Sequence, residues 1–87
     1  MGYCPMVVVH RAFGFRFVIY TLDHEPAHLH IIGEGHAKIN LSGLNDLPEI
    51  VFSVGIKRPE MRRVFEEVVT HRAEFLRDWR RIHGRPD

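Results

Sequence analysis

The most reactive stretch of the sequence covers residues 23–30 and reads DHEPAHLH, with three histidines and two acids around one proline. If the chain is extended from Ala27 onward, side chains alternate between faces, so His28 and His30 project from the same side of a strand. Imidazoles titrate near neutral pH, and beside carboxylates they can form an acid/base site, a metal site or a pH-sensitive contact. We therefore place the candidate functional site in this segment.

Two hairpins are predicted to position this segment. The first pairs strands over 6–10 and 15–21 across a turn at 11–14, and the second pairs strands over 27–32 and 36–41 across Gly33-Glu34-Gly35. Pairing Ile32 with His36 sets the register of the second hairpin and makes one of its faces wholly apolar. The other face then collects polar side chains, namely His28, His30, His36, Lys38 and Asn40. A slip of one residue would mix the two faces, so the pattern itself supports this register.

The rest of the chain predicts one more strand and a helical end. Residues 50–54 form a short β-branched strand, and apolar residues recur at helical spacing from Met61 to Ile82. Low helix propensity over 68–71 leaves open one long helix or two helices that turn near Thr70. We therefore expect an α+β fold, an antiparallel sheet of four to five strands (two consecutive hairpins plus a short strand) packed by a C-terminal amphipathic helix or helix pair.

Length and composition indicate a single domain over residues 1–87, with a β-rich part at 6–55, a helical part at 58–83 and a disordered tail at 1–4. The chain is 45% hydrophobic and 26% charged, which is typical of a globular protein and excludes wholesale disorder. Residues 1–56 carry three basic and five acidic side chains, whereas residues 57–87 carry nine and six. The basic excess of the second part mildly favours an acidic or nucleic-acid partner.

The single cysteine, Cys4, can form neither an internal disulfide nor a cysteine zinc site, so we expect a reducing, cytoplasmic environment. No signal peptide is recognisable, and the longest apolar run, over 6–9, is far too short to span a membrane. We expect no membrane partner.

Three readings of the histidine cluster stay open. In the first, His28 and His30 cleave RNA as a metal-independent acid/base pair while Lys38 stabilises the charge on the phosphate. In the second, the cluster holds a divalent metal such as zinc through His28 and His30, with a third ligand from His24, Asp23 or His36 and His24 as the first choice. In the third, the histidines are half-exposed structural residues or contacts to another chain. His10, His71 and His83 lie apart in sequence and are expected to be structural or solvated.

Several arginines lie off the apolar stripe of the helical part, and most have an acid three or four residues away, as Arg63 has Glu67 and Arg81 has Asp78. A solvated face is therefore the main expectation for them. The best candidates for contact with a phosphate or an acidic partner lie near the C-terminal end, at Arg77, Arg80 and Arg81, and on the polar sheet face, at Lys38 and Asn40.

The segment Glu25-Pro26-Ala27-His28-Leu29-His30 resembles the signature of a family of small bacterial proteins, domain of unknown function 4160. Three further features resemble that family in the same order: the aromatic strand at 14–17, the glycine-rich turn before the strand at 37–39, and a final helix holding Trp79. The family commonly has proline where this chain has Ala27. The resemblance covers roughly residues 5–83.

This resemblance implies a small α+β protein, the toxin-like partner of an antitoxin-type protein with a DNA-binding domain. The residues that match its motif are His24, Glu25, His28 and His30, and we predict a catalytic role for them, with His24 and Glu25 orienting the other two. Our leading expectation is a toxin-like protein acting on RNA and held by a cognate antitoxin-like protein. The alternative is a non-enzymatic module that binds protein or nucleic acid. A homo-oligomer is also expected, and no cofactor is required unless the histidines bind metal.

Overall fold

The computed structural model describes residues 5–84, which form an antiparallel five-stranded sheet followed by two helices. The strands are β1 (Met6–Ala12), β2 (Phe15–Tyr20), β3 (His28–Ile32), β4 (His36–Asn40) and β5 (Glu49–Val54); a 3₁₀ turn at Leu44–Asp46 precedes β5, and the helices are α1 (Arg58–Thr70) and α2 (Arg72–Ile82). Their order in the sheet is β1-β2-β3-β4-β5. The expected α+β fold is confirmed, and the expected tail at 1–4 lies outside the described residues.

The second hairpin has the register predicted from its polar and apolar pattern. Ile32 pairs with His36, His30 with Lys38 and His28 with Asn40. The turn between the two strands needs its glycines, because a Cβ on Gly35 would collide with the backbone carbonyl of Val54. Local alternation and a glycine turn are thus sufficient to specify this hairpin.

Both helices pack on one face of the sheet. The core combines the alternate strand residues Phe17, Ile19, Leu29, Ile31 and Ile39 with the buried residues of the helices. These helix residues are Met61, Val64, Val68, Phe75 and Trp79. The apolar stripe predicted from the sequence therefore forms the helical half of the core, as expected for amphipathic helices.

The helical part is a pair of helices, which settles the alternative left open by the sequence. The first helix ends at Thr70 and the second begins at Arg72, with His71 between them at φ −105° and ψ 19°. Arg72 then ties the second helix to the sheet, because its Nε–H donates to the carbonyl of Leu41 at 2.6 Å.

The opposite face of the sheet, which we call the open face, carries neither α1 nor α2. One row of paired residues across it is Val8, Val18, His30, Lys38 and Phe52, and a second row is Arg11, Arg16, Ile32, His36 and Val54. Val18 is completely buried by its neighbours. The open face therefore has an apolar centre at Val18, with cationic and aromatic side chains around it.

The edge strand β5 contributes little to the core. All six of its residues are exposed, although Ile50, Val51, Phe52 and Val54 are apolar. The expectation of a homo-oligomer stays a prediction.

Neither helix within residues 5–84 combines the length and the apolar character needed to cross a bilayer.

Candidate functional site

His28 is the anchor of the site, and it is only 4% exposed. Its Nδ1–H donates to the carbonyl oxygen of Pro26 at 2.8 Å, and its Nε2 lies 2.7 Å from Oδ2 of Asp23. A carbonyl and a carboxylate can only accept hydrogen bonds, so both bonds form together only when both nitrogens of His28 carry protons. The ring of Trp79, 5.1 Å away, covers this pair from the helical side.

Asp23 links the two strand histidines. The same Oδ2 that faces His28 lies 3.5 Å from Nε2 of His30, and the two imidazole rings are 5.2 Å apart. The loop before β3 supplies the carboxylate, while the strand supplies both rings two residues apart. The prediction that His28 and His30 lie side by side is therefore matched by the structure, with Asp23 as their shared partner.

Of the two strand histidines, His30 is the one that solvent reaches, with 21% of its side chain exposed. Burial lowers the pKa of His30, and the positive charge of His28 lowers it further, against the opposing effect of the Asp23 carboxylate. Lys38, directly across the hairpin, also lowers it. His30 is consequently a neutral imidazole at neutral pH, the form that accepts a proton.

A shallow depression on the open face exposes His30 to ligands. Its wall includes Tyr20, whose ring meets that of His30 edge-on at 4.7 Å, and His36 at the other end. The glycine turn at 33–35 closes one side. In this depression His30, a proton acceptor, lies between Tyr20 and His36, whose side chains can donate hydrogen bonds.

His24 and Glu25 lie on another side of the group. Together with Asp23, Trp79 and His83 they line a narrower cleft at the end of α2. Glu25 accepts a hydrogen bond from Nε1–H of Trp79 at 3.3 Å, and this bond holds the loop against the helix. Their position suits the orienting role expected for them from the sequence, because both follow Asp23 in the same loop and neither lines the depression.

The remaining predicted binding residues are divided between two surfaces. Lys38 and Asn40 lie on the open face, where Oδ1 of Asn40 is buried without a hydrogen-bond partner among the described residues. The arginines Arg77, Arg80 and Arg81 are exposed on α2, where Arg81 pairs with Asp78 at 3.0 Å. The contacts of the described chain do not bring these arginines to the histidine group.

Of the alternatives for a third metal ligand, the structure brings Asp23 to the two strand histidines in place of His24. The ligand atoms that lie within 4.8 Å of one another belong to Asp23, His28 and His30, without His24. The carbonyl of Pro26 would orient His28 for such a role, as carbonyls do for many metal-bound histidines.

The sequence reading missed a second group, formed by His10, Glu67 and His71. The helical spacing of Glu67 and His71 was the one signal within reach, because residues four apart share a helix face. His10 lies 57 residues from Glu67, so only the fold reveals their contact.

The chain also matches a known protein family. The model of the family described as domain of unknown function (DUF4160) matches residues 14–80, most of the chain. The chain belongs to this family. The matched region contains every residue of the Asp23–His28–His30 group and ends just after Trp79, which covers it. No curated protein and no solved structure matches the chain.

The protonation of His30 is directly measurable. In a pH titration followed by NMR of the histidine rings, we expect the His30 midpoint to lie below the ordinary value for histidine. Lys38→Gln should raise it, because one repulsive positive charge is removed. The chain's other lysine supplies the control, and Lys57→Gln should leave the midpoint unchanged. A His30 midpoint at or above the ordinary value would contradict this description.

The same shift has a consequence for stability. Because the pKa of folded His30 is lowered, the unfolded chain takes up this proton first on acidification. Neutral His30 therefore contributes to the free energy of unfolding in full above the ordinary histidine pKa. This contribution is lost as the pH falls through the lowered pKa of the folded state.

Proposed function

We propose that this protein is the toxin-like component of a bacterial toxin–antitoxin pair and that it cleaves RNA in the cytoplasm through His30. The observation that carries the RNA part is the neutral imidazole of His30 within an open sheet face that bears cations and aromatic rings. The toxin part, and the cognate antitoxin-like partner, depend on what the sequence resemblance implies, because the matched family model itself describes a domain of unknown function.

The open face supports binding of a single RNA strand. Exposed bases stack on aromatic side chains, and phosphates attract cations; both kinds of group occur side by side here. Tyr20 and Phe52 supply rings, and Arg16 and Lys38 supply positive charge. An antiparallel sheet without a covering helix offers such a strand enough room to lie across several β-strands.

Chemistry at His30 follows from its protonation. Its unprotonated nitrogen accepts the proton of a ribose 2′-hydroxyl, and the 2′-oxygen then forms a bond to the adjacent phosphorus. The bond from phosphorus to the 5′-oxygen breaks, and a 2′,3′-cyclic phosphate remains. Lys38, the direct cross-strand neighbour of His30, stabilises the negative charge that builds up on the phosphate.

The leaving 5′-oxygen needs a proton, and His36 is placed to supply it. His36 lies two residues before Lys38 on the same face of β4, about 7 Å from Lys38 along the strand. It lines the same depression as His30. His30 and His36 are diagonal neighbours across the hairpin, about 7–8 Å apart, and a base and an acid at this separation would flank a phosphate. The burial of His28 favours a positioning role for it instead of the part in an acid/base pair with His30 that is expected from the sequence.

A metal-dependent reaction is the second candidate, and one observation favours it. Asp23, His28 and His30 bring three ligand atoms within 4.8 Å of one another. A zinc ion held there would activate a water molecule for attack on the phosphate. This reaction requires no 2′-hydroxyl, which separates it experimentally from the first.

Growth after induction tests the toxic activity. We expect arrest of bacteria that express the wild type and normal growth with His30→Ala, because loss of a general base slows such reactions by about 100- to 10,000-fold. Lys57→Ala/Arg63→Ala changes exposed residues of the helical part and should remain toxic. Equal arrest by His30→Ala, confirmed as folded by circular dichroism, would contradict the role of His30.

Binding to RNA can be tested separately from cleavage. In the His30→Ala background, Arg16→Ala/Lys38→Ala should weaken binding of a single-stranded RNA and reduce its salt dependence. The expected slope of log affinity against log salt falls by about 1.4, or about 0.7 for each lost phosphate contact. Lys57→Ala/Arg63→Ala removes the same charge and should leave affinity and slope unchanged. Equal weakening by both pairs would mean that the open face is not the binding surface.

A further inference from the structure

A second group of potential metal ligands lies on the helical side of the sheet. Nε2 of His10 on β1 is 2.6 Å from Oε2 of Glu67, and Nε2 of His71 is 3.3 Å from the same oxygen. The three ligand atoms lie within 4.8 Å of one another. Tetrahedral zinc with bonds of about 2.0 Å spaces its ligand atoms by about 3.3 Å, so small side-chain movements would complete the geometry.

The hydrogen bonds of His71 orient its ring between two carboxylates. Its Nδ1 lies 2.9 Å from Oε1 of Glu74, and a carboxylate only accepts, so Nδ1 carries the proton. The other nitrogen, Nε2, faces Oε2 of Glu67 at 3.3 Å and is the atom that would bind a metal ion once its proton is displaced. A proton or a metal ion on Nε2 of His71 would therefore contact this carboxylate directly.

Glu74 gives this group the outer partner that metal-bound histidines usually have. A carboxylate on the far nitrogen fixes the ring orientation and strengthens the nitrogen as a ligand. Here Glu74 lies on α2 and Glu67 on α1, so His71 at the helix junction is held from both sides.

The surroundings combine access with apolar walls. The side chains of His10, Glu67 and His71 are 25%, 23% and 29% exposed, which leaves an entry for a hydrated ion. The rings of Phe17 and Phe75 pack against His10 at 5.1 and 5.6 Å. In contrast, His28 in the candidate active site is almost fully enclosed.

We propose that His10, Glu67 and His71 bind a divalent transition metal, with zinc as the best match to two imidazoles and one carboxylate. The ion would join β1 to the junction of α1 and α2, and a water molecule would complete its coordination. The site lies on the face opposite His30 and does not depend on the proposed RNA cleavage.

Cobalt(II) titration of the untagged, metal-stripped protein tests this proposal, because cobalt substitutes for zinc and its visible spectrum reports coordination. We expect the intense absorption of a tetrahedral site at one equivalent, bleached by zinc. His71→Ala and Glu67→Gln should each abolish it, and Glu74→Gln should weaken binding by about 10- to 100-fold through loss of the outer partner. His30→Ala, which removes a ligand from the other group, should bind as the wild type does.

Thermal unfolding with and without zinc provides a readout that does not depend on colour. The wild type and His30→Ala should show a zinc-dependent rise in melting temperature, whereas Glu67→Gln should fold and show none. Absence of metal binding by the wild type would overturn the proposal. So would binding that survives Glu67→Gln or that is lost in His30→Ala, because the metal would then occupy another group.

Discussion

The two hydrogen bonds of buried His28 are the constraint on which the rest of the site depends. One nitrogen is bonded to the carbonyl of Pro26 and the other to Asp23, so the ring has no rotational freedom and the loop is tied to the strand. A buried polar side chain is tolerated only when its bonding groups are satisfied, and here both are. Since His28 fixes Asp23, and Asp23 lies beside His30, the environment of His30 follows from this one enclosed ring.

The two faces of the sheet have different roles, one in the stability of the fold and the other in the proposed chemistry. Its helical face buries the large apolar residues of the core, and Trp79 on that side closes over His28. The open face needs no core packing of its own beyond Val18, so its cations and rings remain accessible to a ligand. His30 lies where the two functions meet, buried enough to lose its charge and exposed enough to contact a substrate.

What could be predicted from the sequence was local. The alternation around the glycine turn determines the pairing of His30 with Lys38, because a one-residue slip would bury polar groups. The sequence left open whether the helical part is one helix or two, since the helix propensity over 68–71 is low but still permits a helix. The burial of His28 was not predictable, because it depends on Trp79, 51 positions away.

The second cluster and the exposed edge strand show the same limit. Glu67 has Arg63 at helical spacing, but in the fold its carboxylate meets His10 and His71, because β1 passes over the helix junction. The apolar residues at 50–54 predicted a strand without its position in the sheet, and the edge position of β5 leaves all six of its residues exposed. Order of strands in a sheet is a long-range property that residue patterns alone do not encode.

Acid/base catalysis by His30 can be tested directly by product analysis of RNA cleavage. A single-stranded RNA and a copy with one 2′-deoxyribose would be incubated with the purified protein in the presence of a chelator. The account predicts 2′,3′-cyclic phosphate ends, no cleavage at the deoxyribose, and loss of all cleavage in His30→Ala. Cleavage at the deoxyribose, or cleavage that the chelator abolishes, would contradict acid/base catalysis by His30 and favour a metal at Asp23. Binding without any cleavage would contradict an enzymatic role.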